Sequence, residues 1–231
     1  FREDRDVSTT TAPGYVRMIC SGDSLTFGER VDGDHAWCRR LAALNSGLET
    51  VNMGQSAYGI DQAYLWYNRA GARLQHQLHL FAFITDAINR MRLHEYIGYP
   101  KPYLTIQDGK LTVRNVPVPR VWLDPWHADL SYGVRVLDLV RRVRDRVFAT
   151  PNDEEVPPAS SQDAQTRQLL HHVFSELRRT NEAQGSRLVL VYLPTEADYL
   201  DQRAREWLAF VAAESHALGI PLIDLVTPFA S

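Results

Sequence analysis

Five short apolar runs punctuate the chain: "YVRMIC", "ETVNM", "LHLFAFIT", "SRLVLVYL" and "IPLIDL". Each has the length of a buried strand rather than of a helix. Between most of them the apolar positions recur at helical spacing, around "HAWCRRLAALN", "DQAYLWYNRAGARL" and "YLDQRAREWLAFVAAESHALG". The last of these patterns ends on Gly219, as a helix C-cap should. Strands alternating with helices predict parallel β-α-β units joined by right-handed crossovers. The expected architecture is therefore α/β: a three-layer α/β/α sandwich around a five-stranded parallel sheet.

The middle of the chain departs from that rhythm. "YLTIQDGKLTVRNV" alternates apolar and polar positions on either side of Asp108-Gly109, which predicts a hairpin with a type I′ turn. A basic amphipathic helix is expected around Tyr132–Phe148. The proline-, serine- and acid-rich "ATPNDEEVPPASSQD" follows and reads as a mobile loop over Asn152–Ser161. Residues 91–161 read as a hairpin-plus-helix insertion within a single domain spanning 1–231, because a lone hairpin cannot bury a core. Trp122, Trp126 and Tyr132 within that insertion suit either a carbohydrate-stacking surface or a small local core.

Composition narrows the field of function. With 231 residues, 45% hydrophobic and 23% charged, the chain has the make-up of an ordinary globular domain. A formal charge of -3 gives no electrostatic reason to expect nucleic acid as a partner. The most basic stretch, "RRVRDR", is interrupted by Asp145 and reads as one solvated helix face. The longest apolar stretch, "LHLFAFITDAI", is broken by Asp86, so no membrane contact is expected within the chain. No signal-peptide pattern is visible. The two cysteines, Cys20 and Cys38, form no CxxC pair, so neither a disulfide framework nor a zinc site is expected. Cys20 reads as a small buried hydrophobe.

The first apolar run ends directly in Gly22-Asp23-Ser24-Leu25. In an open parallel sheet, ligands bind beyond the carboxyl ends of the strands. Ser24 would then lie beside backbone N–H groups and a helix N-terminus, which favour developing negative charge. A capping or turn serine fits the same place. The G-x-S-x-G elbow does not fit, since Thr26 stands at the second glycine position. Neither a Walker A nor a G-x-G-x-x-G motif is present, so phosphate-loop readings fail and no cofactor is expected. Asp23, Asp86 and Asp224 fall near the carboxyl edge of the expected sheet, where carboxylates suit hard cations. They read better as groups that brace loop backbone, and no metal is expected. "DPWH" supplies Asp124 and His127 in D-x-x-H spacing, inside the insertion. His171 and His172 sit on a polar helical pattern, His216 near a helix end, and His35 at the start of the first helix.

"GDSLTFGERVDGDHAWCRRL" resembles the first block of the SGNH, or GDSL, hydrolase family. "TVNMGQSAYGIDQAYL" is similar to its second block, and "LFAFITDAINRM" stands where the third belongs. "FREDRD", "KPYLTIQDGKLTVRNVPVP" and "LVLVYLPTEADYL" resemble a bacterial subgroup with a membrane-tethered, extracytoplasmic catalytic domain. The resemblance covers nearly the whole chain. It implies the flavodoxin-like SGNH fold, with Ser24 as nucleophile and a histidine as general base. It further implies that the N–H groups of Ser24 and Ala57, with the side chain of Thr85, hold the oxyanion, while Asp23 and Asp86 shape the site.

Three departures from the family pattern stand out. Ala57 replaces the second-block glycine, whose backbone N–H would survive the change. Thr85 replaces the third-block asparagine, and loss of one such donor typically costs roughly 10²–10³ in turnover. After the fifth strand, Asp224 is followed by Thr227 where Asp-x-x-His would place the base. The base is therefore expected beyond Ser231, with His127 paired to Asp124 as the alternative within the chain. The implied activity is that of a serine esterase or acyltransferase on O-acyl groups of a cell-envelope glycan or another small ester, in the periplasm or outside the cytoplasm. The alternative is a catalytically silent SGNH-like domain that binds glycan or a protein partner.

Overall fold

The computed structural model describes residues 1–2, 6–119 and 159–229, with the side chains of 159–161 excepted. Asp124, His127, the three aromatics at 122, 126 and 132, the expected helix over 132–148 and residues 152–158 lie outside the described residues.

Five parallel strands form one sheet in the order β2-β1-β3-β8-β9. They are β1 (Val16–Gly22), β2 (Leu48–Gly54), β3 (Leu78–Phe83), β8 (Arg187–Tyr192) and β9 (Leu222–Asp224). All five apolar runs thus become strands. The register pairs Gly22 with Gly54 and with Ala82, so β1, β2 and β3 end level with one another at the carboxyl edge. The sheet centre is β3, flanked by β1 and β8.

Helices connect the strands: α2 (Trp37–Leu44), α3 (Ile60–Arg69), α5 (Ala159–Ala183) and α7 (Gln202–Ala217). Three short ones, α1 (Ser24–Phe27), α4 (Thr85–Arg90) and α6 (Glu196–Leu200), follow the carboxyl ends of β1, β3 and β8. Side chains alternate across a strand, so neighbouring residues report opposite faces. Cys20 of β1 is bonded to Cys38 of α2, and Ser21 faces His79, Tyr67 of α3 and Asn181 of α5. Hence α2 covers one face, α3 and α5 the other, and the three layers are as expected. His171 of α5 pairs with Glu214 of α7, which sets α7 beside α5. The core between the layers is closed by Ile19, Phe81, Phe174, Leu177, Leu190 and Trp207, each at most 2% exposed.

The Cys20–Cys38 disulfide corrects the expectation of an isolated buried thiol. Its Cα atoms are 6.1 Å apart, within the usual range for a bridge. The 18-residue spacing carries no motif; the pairing arises because α2 packs back across β1.

Two hairpins follow α4. The expected one comprises β6 (Tyr103–Gln107) and β7 (Lys110–Arg114), with Asp108 and Gly109 both at positive φ, as a type I′ turn requires. A smaller one, β4 (Glu95–Tyr96) with β5 (Tyr99–Pro100), turns through Ile97 and Gly98. Lys101, between the hairpins, anchors them: its ammonium lies 2.6 Å from Asp61 in the first turn of α3 and also donates to the carbonyl of Arg90 at 3.0 Å. Of the loop expected over Asn152–Ser161, residues 159–161 are helical instead. Helix α5 has begun by Ala159, directly after the second of two prolines, where the helix-breaking residues end.

Candidate active site

Ser24 sits where the first strand gives way to helix, half-buried at the carboxyl edge of the sheet. Its neighbour takes the capping position. Asp23 is the N-cap of α1, with its Oδ1 accepting the N–H of Leu25 at 2.9 Å. Capping therefore belongs to Asp23, and among the described residues the Ser24 hydroxyl makes no hydrogen bond. Asp23 itself is 1% exposed. Burial pushes its carboxyl above the usual range, opposed by the Leu25 N–H and the positive charge of Arg90.

The strand ends meet closely around this turn. A side chain at Gly22 would strike the carbonyl of Ala82 on β3, and one at Gly54 would strike the backbone of α1. Gln55 donates its N–H to the carbonyl of Gly22 at 3.0 Å, and Asn52 donates its amide to the carbonyl of Thr26 at 2.9 Å. The loop after β2 is thereby clamped to the turn that carries Ser24. From the other side, Arg2 donates to the carbonyls of Phe27, Gly28 and Val31 and lies over the Phe27 ring.

Ala57, in the clamped loop, has φ 67, a left-handed backbone that glycine adopts most readily. Arg90 donates to the carbonyl of the next residue, Tyr58, at 3.2 Å.

Thr85 begins α4 at the carboxyl end of β3, and its hydroxyl is turned to Asp198 and Tyr192. It donates to Asp198 Oδ1 at 2.6 Å and meets the Tyr192 hydroxyl at 2.6 Å. Asp198 Oδ2 accepts both the N–H and the hydroxyl of Thr195, at 2.8 and 2.7 Å. A threonine hydroxyl has one proton to give, and here Asp198 takes it. The Thr85 hydroxyl, expected to help hold an oxyanion, is engaged by Asp198 and Tyr192 in this structure. Asp86 is exposed in the first turn of α4, unlike the buried Asp23. Asp224 closes β9 and accepts the N–H of Val226 at 2.7 Å and the hydroxyl of Thr227 at 2.5 Å. Thr227 thus occupies the partner position that Asp-x-x-His would give to histidine.

Seven of the eight histidines are described, and none of them hydrogen-bonds Ser24. His94 stacks on Tyr103, His171 pairs with Glu214, and His35 is exposed. His79 does contact a serine, but it is Ser21, three residues before Ser24, at 2.6 Å. Both are fully buried. The amide of Asn181 donates to the Leu177 carbonyl and to His79 Nδ1, so His79 carries its proton on Nε2 and donates it to Ser21. That is the reverse of general-base activation, and the pair is a core contact. His76, Tyr67 and Asn181 complete this buried network, and burial pushes both histidines below their usual range.

Sequence reasoning missed the Asp198 and Asp61–Lys101 contacts. Both partners in each case are ordinary residues far apart in the chain, and no local motif marks them. No group that could hold three metal ligands occurs among the described residues.

No family model matches the chain, and no curated protein matches it. Solved structures do share its fold. AlinE4 is an SGNH-hydrolase family esterase. One single-residue variant of it superposes with a TM-score of 0.50 at 13% identity, over 92% of this chain and 77% of that one. A second variant gives 0.50 at 12% identity over the same shares. A member of the lipolytic protein G-D-S-L family from Veillonella parvula DSM 2008 gives 0.47 at 13% identity, over 92% and 79%. At these identities the likeness is one of fold: a five-stranded parallel sheet sandwiched between helices.

Proposed function

We propose that the chain is a serine ester hydrolase or acyltransferase of the SGNH type, with Ser24 as its nucleophile. The observation that carries the reading is the Ser24 hydroxyl itself: at the carboxyl edge of the sheet, half-buried, and relieved of capping by Asp23. The loop of Ala57 supports it: Gln55 clamps that loop to Gly22, and the left-handed backbone of Ala57 is compatible with an N–H offered to an oxyanion. The similar fold of an esterase supports the same reading.

In the proposed reaction Ser24 attacks an acyl carbonyl, and the N–H groups of Ser24 and Ala57 hold the tetrahedral oxyanion. A histidine takes the serine proton and returns it to the leaving alcohol. Within this sequence His127, three residues after Asp124, is the histidine to test, since none of the seven described histidines hydrogen-bonds Ser24. The substrate class we propose is an O-acylated glycan, following the resemblance of "KPYLTIQDGKLTVRNVPVP" and "LVLVYLPTEADYL". An extracytoplasmic location is supported by the Cys20–Cys38 bridge, since disulfides persist mainly in oxidising compartments.

Hydrolysis of p-nitrophenyl acetate tests the reading. Ser24→Ala should abolish turnover above background, and His127→Ala should lower it by about 10² or more. Turnover that survives Ser24→Ala would overturn the assignment. The engagement of Thr85 by Asp198 favours a second reading, a silent domain that binds glycan without cleaving it. That reading predicts no Ser24-dependent turnover at all.

A further inference from the structure

We propose that Arg90 is a positioning residue for ester hydrolysis, holding the loop of Ala57 in its place against the serine turn. The inference rests on the esterase reading, in which the Ala57 N–H helps to hold the oxyanion.

The loop is a four-residue turn in which the carbonyl of Gln55 accepts the N–H of Tyr58 at 3.4 Å. That bond is longer than usual, and the left-handed backbone of Ala57 is one that alanine seldom adopts. A turn of this kind keeps its form where its surroundings hold it. Its entry is fixed by the N–H of Gln55, which donates to the carbonyl of Gly22 at 3.0 Å. Its exit is fixed by Arg90, whose Nη1 donates to the carbonyl of Tyr58 at 3.2 Å. Ala57 falls between these two points. Just beyond, the chain runs close against α4: a side chain at Gly59 would come within 3.1 Å of Arg90 Cβ.

Arg90 is itself held by the hairpins that follow α4. Its guanidinium carbon lies 5.0 Å from the centroid of the Tyr96 ring in β4, within cation–π range. Its carbonyl accepts the Lys101 ammonium at 3.0 Å, and Lys101 is paired with Asp61 in the first turn of α3. The end of α4, the β4–β5 hairpin and the loop that leads into α3 therefore converge on one side chain. The charge of Arg90 reaches the serine turn too, where it works against the burial that pushes the Asp23 carboxyl up. Arg90 thus links the hairpins to both segments from which the proposed oxyanion donors come. Misplacing a group of an active site by about 1 Å can cost on the order of 10² in rate, so a lost link of this kind is visible in turnover.

Steady-state hydrolysis of p-nitrophenyl acetate by the full chain and three variants tests the proposal. Arg90→Met keeps an unbranched apolar stem and removes the donor and the charge. It should lower kcat by about tenfold or more while KM stays within about threefold, because the oxyanion forms only after the ester has bound. Arg90→Lys keeps a cationic donor and should recover most of the lost rate. Tyr96→Leu, which frees the guanidinium from its ring, should lower kcat by about two- to fivefold. Thermal unfolding of each variant reports whether it folds, and Tyr96→Leu carries the test if Arg90→Met does not. Parental kcat in the folded Arg90→Met or Tyr96→Leu protein, a loss carried by KM alone, or a lysine variant no faster than the methionine one would overturn the proposal and leave the esterase reading standing. If the parent chain shows no Ser24-dependent turnover, the esterase reading fails and the role of Arg90 falls with it.

Discussion

Replacing Lys101 by methionine should unfold the insertion's anchor at a calculable cost. The Lys101 ammonium and the Asp61 carboxylate are 2.6 Å apart and 4% and 0% exposed. Removing one partner of a buried pair leaves the other charge uncompensated, at about 3–5 kcal/mol. That is a large share of the roughly 5–15 kcal/mol that holds a domain together. The loss should also depend on pH. Burial already pushes the Asp61 carboxyl up, and the Lys101 charge is the main influence holding it down. Without Lys101 the folded-state value rises further above the unfolded value of about 3.9. An acid raised in the folded state binds its proton more readily there than in the unfolded chain. The penalty is therefore full above the folded value and shrinks by about 1.4 kcal/mol per pH unit below it. Urea denaturation of Lys101→Met against the parent at pH 7.5 and pH 5.5 measures both effects. Lys101→Met with Asp61→Leu should recover much of the loss, since a well-packed apolar pair can replace a buried ion pair. A loss under about 1 kcal/mol, or one that does not shrink as the pH falls, would refute the reasoning.

Acid should weaken the native protein through His76 and His79, whose folded values burial depresses. Their contribution is present above the unfolded value of about 6.5 and is lost as pH falls from there toward the folded values. Melting temperatures at pH 7.5 and 5.5 should show the decline, and His79→Gln should make it shallower. Thr85→Asn should not speed ester hydrolysis, because the site of its side chain is bounded by Asp198 and Tyr192. It should instead lose roughly 1–3 kcal/mol by leaving buried polar groups unpaired; a faster enzyme would restore residue 85 as an oxyanion donor. The Cys20–Cys38 bridge predicts no free thiol in unreduced, denatured protein, and a loss near 3 kcal/mol in Cys38→Ser for a loop of this length. Two titratable thiols would contradict it.

The strands were legible because burial in a parallel sheet leaves short continuous apolar runs, and "LHLFAFIT" becomes the central strand for that reason. Asp108-Gly109 was legible because both turn positions need positive φ, which local chemistry alone supplies. Ser24 was placed at the strand end by the run that precedes it, and of the two neighbours that could cap the helix there the structure uses Asp23. Tertiary pairings left no such trace. The Thr85 hydroxyl could be assigned only after Asp198 arrived from 113 residues away. The disulfide and the Asp61–Lys101 pair likewise join segments whose meeting is decided by helix packing and not by spacing.

Covalent capture tests the central claim most directly. A fluorophosphonate ester reacts with an activated serine by displacement of fluoride, leaving a phosphonyl group on the oxygen. Intact-mass and peptide analysis of the labelled full chain then locates it. One adduct is expected, on Ser24, absent in Ser24→Ala. An adduct on another residue, or none at probe concentrations that label a known serine esterase, would contradict the assignment of Ser24 as nucleophile.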